Sequence, residues 1–105
     1  MNNIQVDLML ESDLDSVTQI FLDVFNKFGE NWSLETAGKH IKENFFGDCH
    51  YVVRIEGRIV GFVMAIPLTR EKGTELFIDS IAVLPEIQRK GIGKLLWDKV
   101  NKYAK

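Results

Sequence analysis

Residues 81–96 decide the fold, and they read Ile81-Ala82-Val83-Leu84-Pro85-Glu86-Ile87-Gln88-Arg89-Lys90-Gly91-Ile92-Gly93-Lys94-Leu95-Leu96. The stretch begins at the end of an apolar run, residues 75–83, which is typical of a strand covered on both faces. Gly91 and Gly93 then open a helix, and without side chains its first turn leaves backbone N–H groups open to a ligand. Because the helix dipole adds positive potential there, the geometry suits a pyrophosphate.

The charge of the chain is concentrated in the same region. Residues 86–105 carry 6 Lys or Arg and 2 Asp or Glu, whereas residues 1–85 carry 7 and 13. We expect this basic end to bind an anion through Arg89, Lys90 or Lys94. A solvent-exposed helix face is the alternative explanation, because it shows the same charge pattern. The formal net charge of −2 argues against a nucleic-acid-binding protein.

Length and composition predict one domain over residues 1–105, since compact units usually run about 100–200 residues. The chain is 46% hydrophobic and has a single cysteine, Cys49, which cannot form an intramolecular disulfide. The first residues lack the pattern of a signal peptide, and no apolar run reaches the roughly 20 residues of a membrane span. We therefore expect a soluble, cytoplasmic protein that does not enter the membrane.

Hydrophobic periodicity predicts the element order β-α-α-β-β-β-α. Ser12 and Ser33 are the expected helix N-caps, and Pro67 is expected to close the third strand. Residues 4, 6, 8 and 10 form the expected buried face of the first strand. The predicted ranges are strands at 4–10, 51–55, 59–66 and 75–83, helices at 12–29 and 33–47, and a last helix from residue 91 onward.

Two familiar phosphate-binding motifs do not fit residues 88–96. A Walker loop needs a glycine where Gln88 stands and Ser or Thr where Leu95 stands. The dinucleotide fingerprint needs a third glycine where Leu96 stands.

A third motif fits at every position. Residues 88–93, Gln-Arg-Lys-Gly-Ile-Gly, resemble the acyl-CoA-binding motif of the GNAT superfamily of N-acyltransferases, Gln/Arg-x-x-Gly-x-Gly/Ala, which follows a strand ending in Ala-Val and a proline. The predicted element order is also similar to the first two-thirds of that fold. The resemblance implies an α+β, three-layer domain with a mixed sheet. It also implies transfer of an acetyl group from acetyl-CoA to a primary amine.

The resemblance also assigns cofactor-binding residues. It implies that the backbone of Ile81, Ala82 and Val83 pairs with the pantetheine arm. It implies that the N–H groups of residues 89–94 hold the pyrophosphate, and that Arg89, Lys90 or Lys94 reaches the 3′-phosphate. The residues assigned to the cosubstrate are Ile81, Ala82, Val83, Gln88, Arg89, Lys90, Gly91, Ile92, Gly93 and Lys94. A tight strand-to-helix turn is the alternative explanation of the two glycines.

Family members commonly use an acid on the preceding strand as general base, and Glu75 and Asp79 are the acids here. Alternation places both on one face with Phe77 and Ile81, where an apolar setting would raise a carboxyl pKa. One family position for the base falls on Phe77, and another matches Asp79, which we therefore prefer to Glu75. The alternative for Asp79 is a hydrogen bond to a neighbouring backbone amide.

His40, Cys49 and His50 lack the spacing of metal ligands, so no metal site is predicted. We expect His40, on a predicted helix, to be a surface residue. These side chains therefore enter no predicted site.

The family usually continues with another strand, a helix and a closing hairpin, whereas this sequence ends at Lys105. The resemblance thus implies a fragment, a short gene product or a half-domain completed by a partner, without the tyrosine that commonly protonates the thiolate. A noncatalytic CoA-binding module and an interaction module are the alternative functions, and the acceptor amine is open.

The strand at 75–83 would have a bare edge, so we expect a homodimer that also covers Trp97, unless CoA occupies that edge.

Overall fold

Over residues 3–45, 49–88 and 91–104, which the computed structural model describes, the chain forms four strands and three α-helices in the predicted order. At residues 74, 76 and 102–104 the description is of the backbone alone. Short 3-10 turns at Glu11–Asp13 and Pro85–Ile87 precede the first and last helices. The elements are β1 Ile4–Leu8, α1 Leu14–Lys27, α2 Leu34–Glu43, β2 His50–Ile55, β3 Arg58–Arg70, β4 Gly73–Val83 and α3 Ile92–Ala104.

The strands form one sheet in the order β1-β2-β3-β4, and all three pairings are antiparallel. The predicted mixed sheet is therefore wrong for the described residues, because each strand turns back on its predecessor and α3 has no parallel strand after it among them. The α+β, three-layer prediction is confirmed. Helix α1 packs on β3 and β4 and carries α2, while α3 packs on β2, β3 and β4 from the other face.

Burial follows these layers. Residues 60–65 of β3 are all buried, since this strand has helices over both faces. The expected buried face of β1 is wrong at its ends: Ile4, Leu8 and Leu10 are exposed, and Val6 packs against the core. β1 lies at the edge of the sheet, past the strands that α3 covers. None of the described helices is long and apolar enough to cross a membrane.

The two N-terminal helices differ in how they begin. Ser33 caps α2 as predicted: its Oγ accepts the Thr36 N–H at 3.1 Å, and Thr36 Oγ1 accepts the Ser33 N–H at 3.0 Å. Ser12 does not cap α1. Instead the Asp13 carboxylate accepts the Leu10 N–H at 2.9 Å and organises a 3-10 turn ahead of the helix. Helix α2 ends at Glu43, and the predicted end at Gly47 lies outside the described residues.

Strand β3 continues through Pro67, where the sequence predicted an end. Pairing with β2 extends only as far as Met64, so the rest of β3 pairs with β4 alone. Each strand of a two-stranded ribbon has one edge without a neighbouring strand. A proline whose nitrogen faces that edge does not interrupt the hydrogen bonds between the strands. The predicted loop at 69–74 therefore contracts to a turn at residues 71–72.

A β-bulge interrupts β4 at Asp79. Met64 pairs with Ser80 and Ala65 pairs with Ile78, so Asp79 is an extra residue with no partner on β3. The bulge reverses the alternation of side chains along the strand. Asp79 contacts His40 on α2, whereas Val83 lies beside Gly61 on the α3 face. Because Ile81 shares the face of Val83, the expectation that Asp79 and Ile81 share a face is wrong.

An ion cluster fastens β1 and β2 to the start of α1. Arg54 Nη2 donates to both oxygens of Asp13 at 3.0 Å, and its Nε donates to Asp7 at 3.1 Å. Burial opposes the charge of the guanidinium, but the two carboxylates outweigh it and raise the pKa of Arg54. Asp13 is buried, so its charge depends on this partner.

We predict that Arg54→Leu lowers the free energy of unfolding by about 3 kcal/mol, because the buried Asp13 carboxylate loses its cation. The matched control is Arg58→Leu, whose partner Glu86 is 57% exposed. That exposed pair should be worth less than about 1 kcal/mol. Urea denaturation of both variants measures the difference, and equal losses would contradict a stabilising role for the Arg54 cluster.

Candidate functional site

A pocket of about 450 Å³ lies where the end of β4 meets the start of α3. Its walls come from three parts of the chain: the last residues of β4, the first turn of α3 and the C-terminal end of α1 with Phe28, the residue that follows it. Val24 of α1 was not predicted to belong to a site. The pocket is lined by Val24, Phe28, Ile81, Ala82, Val83, Gln88, Gly91, Ile92 and Gly93.

The first turn of α3 supplies the polar groups of this pocket. Gly91 has φ +78°, a left-handed conformation that favours glycine. The Leu95 N–H donates to the Gly91 carbonyl at 3.1 Å, which makes this the first hydrogen bond of the helix. The N–H groups of Ile92, Gly93 and Lys94 consequently have no carbonyl partner within α3. Open space surrounds the position that a Cβ of Gly93 would take.

The Gln88 side chain fixes the loop between β4 and α3. Its Nε2 donates to the Val83 carbonyl at 2.9 Å, and the Leu84 N–H donates to the Val60 carbonyl at 2.9 Å. The loop is thus tied to the ends of β3 and β4. The sequence assigned Gln88 to the cosubstrate, and the structure places it in the wall of the pocket with a bond to its own chain.

The basic residues of the motif are only partly described. Arg89 and Lys90 lie outside the described residues. The Lys94 side chain is exposed, and its Nζ bonds to Asp98 Oδ2 at 2.9 Å, one helical turn further on. Such an exposed pair is weak, so the Lys94 ammonium is available to an anionic ligand at little cost.

A larger groove of about 710 Å³ runs between α1 and α2. It mixes acidic and basic side chains, and the N-terminus of α2 beside it is already capped by Ser33. It therefore presents neither a uniform charge nor open backbone donors, and we favour the smaller pocket at β4. The groove is lined by Leu14, Asp15, Thr18, Gln19, Leu34, Glu35, Gly38, Lys39, Lys42 and Glu43.

The β4 bulge brings Asp79 to a polar cluster next to the pocket. Asp79 Oδ2 accepts a hydrogen bond from Ser80 Oγ at 3.0 Å and lies 3.5 Å from His40 Nε2. The side chains of Asp79 and His40 are 23% and 30% exposed, so both are half-buried. The expectation that His40 is a simple surface residue is wrong, because α2 folds back to place it over β4. Asp79 bonds to the neighbouring hydroxyl, whereas the sequence alternative was a backbone amide.

Aromatic rings surround the His40 imidazole. The ring centroids of Phe21 and Trp32 lie 5.4 and 5.1 Å from that of His40. Trp32 is itself fixed, since its Nε1 donates to Glu30 at 2.7 Å and its backbone N–H and carbonyl bond to Asn26 at 2.9 Å. These contacts give the cluster one apolar, rigid wall.

His50, the first residue of β2, is fully buried. Its Nδ1 accepts the Ala65 N–H at 3.0 Å, which satisfies a backbone donor just where β2 stops pairing with β3. Burial lowers the pKa of His50 below its usual 6.5, against the opposing effects of the Asn44 backbone and of the Asp79 charge. Within the described residues, no three His, Cys, Asp or Glu side chains lie together in a way that could hold a metal ion.

Glu75, the second predicted acid, is separated from this cluster. It pairs with Arg70 at 2.8 Å, and its side chain is 67% exposed. Four residues of extended strand separate it from Asp79, roughly 13 Å. The structure therefore brings Asp79, but not Glu75, next to the pocket.

The pocket and the cluster are neighbours on two elements. Along β4, Asp79 precedes Ile81 by two residues, or roughly 7 Å of strand. Along α1, Phe21 of the cluster precedes Val24 of the pocket by one turn. A molecule bound at the end of β4 would therefore have Asp79 close to one end.

Comparison with protein families gives a match over most of the chain. Residues 14–105 match the model of the acetyltransferase (GNAT) family. An N-alpha-acetyltransferase of Sulfolobus acidocaldarius is 32% identical over 105 residues, an alignment that covers 90% of this chain and 58% of the relative. The chain thus spans little more than half the length of that relative.

Two solved structures show the same fold. A possible acetyltransferase from Clostridium difficile 630 superimposes with a TM-score of 0.82 at 20% identity, covering 95% of this chain and 70% of that one. The aminoglycoside N-acetyltransferase AAC(6')-Iy, solved in complex with CoA, gives a TM-score of 0.78 at 15% identity, with coverage of 98% and 70%.

Proposed function

Since this chain belongs to the GNAT family of acetyltransferases, we propose that it transfers an acetyl group from acetyl-CoA to a primary amine. The observation that carries the proposal is the pocket at the end of β4, where the first N–H groups of α3, which have no carbonyl partner within that helix, meet an apolar wall. This combination suits a cosubstrate that has a pyrophosphate at one end and a pantetheine arm along its length. The related enzyme solved with CoA has the same fold.

The residues of the pocket suit the separate parts of acetyl-CoA, its phosphates and its pantetheine arm. The N–H groups of residues 92–94 and the Lys94 ammonium suit its phosphates. The backbone of residues 81–83 lies at the end of β4, which has β3 as its only strand neighbour among the described strands. Its other edge can therefore receive the amide groups of the pantetheine arm. Val24 and Phe28 supply apolar contact from α1.

Asp79 is the general base in this proposal. Its carboxylate takes one proton from the ammonium form of the acceptor, and the neutral nitrogen then attacks the thioester carbonyl carbon. A C–N bond forms and the C–S bond breaks. The second proton lost by the nitrogen balances the one that the CoA thiolate takes up. The half-buried position of Asp79 beside the pocket supports this role.

The acceptor is an amine presented by a small molecule or a peptide. Alkylamines are protonated near neutral pH, and the half-buried Asp79 carboxylate offers such a cation an opposite charge, while the Trp32 ring that packs on the neighbouring His40 offers an aromatic surface. The N-alpha-acetyltransferase and aminoglycoside N-acetyltransferase names of the relatives agree with either kind of acceptor.

We also propose a cytoplasmic location, supported by the free, buried thiol of Cys49.

We further propose a homodimer. Phe77 on β4 and Trp97 on α3 are 56% and 51% exposed, and β4 has one edge that no other described strand pairs with. A second copy that covers both rings and pairs with residues 73–78 of β4 would satisfy backbone groups there and leave the edge at residues 81–83 to the pantetheine arm.

We predict that Gly93→Val weakens acetyl-CoA binding about tenfold or more, because the branched side chain blocks the approach of a phosphate to the backbone donors. A Cβ at this position meets no atom of the protein within 4 Å, so the fold should tolerate the change. Isothermal titration calorimetry measures the affinity, and thermal unfolding verifies that the variant is folded.

Gly93→Ala is the matched control for this variant, because the resembled motif takes either Gly or Ala at this position. It should bind nearly as well as the wild type. Equal affinities of the wild type and the valine variant would place the cosubstrate elsewhere.

We predict that Asp79→Asn lowers kcat by about 10²–10⁴ while the Kd for acetyl-CoA is retained, since the variant loses only the proton acceptor. Initial rates with a panel of primary amines and free peptide N-termini measure the loss. Glu75→Gln is the control, because this acid is exposed and paired with Arg70. Undiminished turnover in Asp79→Asn would exclude it as the base, and loss in Glu75→Gln would transfer the role to that residue.

We predict that the chain sediments at twice its 12.0 kDa at about 50 μM, and that Trp97→Gln shifts it toward the monomer. The glutamine removes an exposed ring without adding a charge. Sedimentation velocity with and without acetyl-CoA is the measurement. A 12.0 kDa species in both conditions would contradict the homodimer.

A further inference from the structure

One carboxylate oxygen of Asp79 has two polar contacts, and the other has none among the described residues. Among the described residues, both polar contacts of its carboxylate go to Oδ2: the Ser80 hydroxyl at 3.0 Å and His40 Nε2 at 3.5 Å. Two donors on one oxygen limit the rotation of the carboxylate, and its second oxygen keeps a lone pair that can receive a proton. The contacts of Oδ2 therefore set the direction in which Oδ1 points.

The contacts of His40 indicate which ring nitrogen carries the proton. The Asn44 amide nitrogen donates to the His40 carbonyl at 2.8 Å and lies 3.4 Å from Nδ1 of the ring. An amide N–H₂ group only donates, so Nδ1 faces a donor and accepts from it, and the ring proton lies on the other nitrogen, Nε2. Nε2 lies 3.5 Å from Asp79 Oδ2, which is within the range of an ion pair and long for a hydrogen bond.

The position of the His40 ring is fixed by three elements. Phe21 of α1 and Trp32 of the α1–α2 loop contact the ring, and Asn44 holds it from its own helix. Nearby, His50 bonds to the β3 backbone and lies close enough to Asp79 to sense its charge. A ring packed against two other rings and an amide in this way can orient the group that it contacts.

We propose that His40 is a positioning residue for the transfer reaction: its Nε2–H, together with the Ser80 hydroxyl, holds Asp79 so that Oδ1 faces the acceptor amine. The proposal rests on the proposed acetyl transfer and adds a residue to it. His40 does not touch the reacting atoms. It acts by keeping the carboxylate of the bulge in one orientation, which the backbone alone does not fix.

Two substitutions separate positioning from packing. His40→Phe keeps an aromatic ring between Phe21 and Trp32 but has no donor for Asp79. His40→Gln loses the ring contacts but offers an amide N–H that can reach the same oxygen. We expect kcat to fall about 10–100-fold in the phenylalanine variant and to be largely retained in the glutamine variant, with the KM for acetyl-CoA unchanged in both. The reverse order, with phenylalanine the better variant, would show that the ring only packs and would overturn the proposal.

A second measurement does not depend on turnover. Long-range ¹H–¹⁵N spectra of the histidine rings report the tautomer of His40 directly, and Asp79→Asn is the comparison variant. We expect the Nε2–H tautomer, with an Nε2 resonance that shifts when the carboxylate is replaced. An Nδ1–H tautomer, or a resonance indifferent to Asp79→Asn, would overturn the pairing. Absence of acetyl transfer by the wild type with every amine would instead overturn the proposed function, and the ring spectra would still decide the pairing.

Discussion

One extra residue in β4 fixes the position of every group in the candidate site. Pairing with β3 runs in register from Gly73 to Ile78, skips Asp79 and resumes at Ser80. Side chains alternate between the two faces along the strand, and the skip reverses this alternation for the residues that follow it. The acid lies on the side of α2, while the strand that follows it presents its backbone to the pocket. Without the extra residue, Asp79 and Ile81 would share one face of the strand.

The bulge makes one strand serve two purposes. Its first part forms a hairpin with β3, and its last three residues form a wall of the pocket together with the first turn of α3. Helix α1 connects the two regions, because Phe21 faces the histidine and Val24 and Phe28 face the pocket. Phe28 is 75% exposed and lines the pocket, so a ligand bound there would cover part of its ring.

The sequence predicts those features that depend on neighbouring residues. The element order follows from periodicity, the cap of α2 from Ser33, and the pocket at α3 from the two glycines that follow a buried strand. These signals are local, and the structure confirms the first two. The GNAT family match agrees with the resemblance drawn from residues 81–96.

Features that depend on pairing between distant residues were not predictable in the same way. The contact between His40 and Asp79 joins residues 39 positions apart. The bulge that separates the face of Asp79 from that of Ile81 has no signal in the sequence either, since Ile78, Asp79 and Ser80 also suit a regular strand. Likewise Pro67 remains within β3 because β2 stops pairing at Met64. Alternation alone assumes an uninterrupted register, and that assumption failed at Asp79.

The strand beyond the bulge and the first turn of α3 together form the binding surface that we propose for acetyl-CoA. Backbone amide chemical shifts, followed by NMR as acetyl-CoA is added to the chain, test it most directly. The account predicts the largest changes at residues 81–83 and 91–94 and small ones at residues 73–77, before the bulge. Largest changes at residues 34–43, along the groove between α1 and α2, would contradict it.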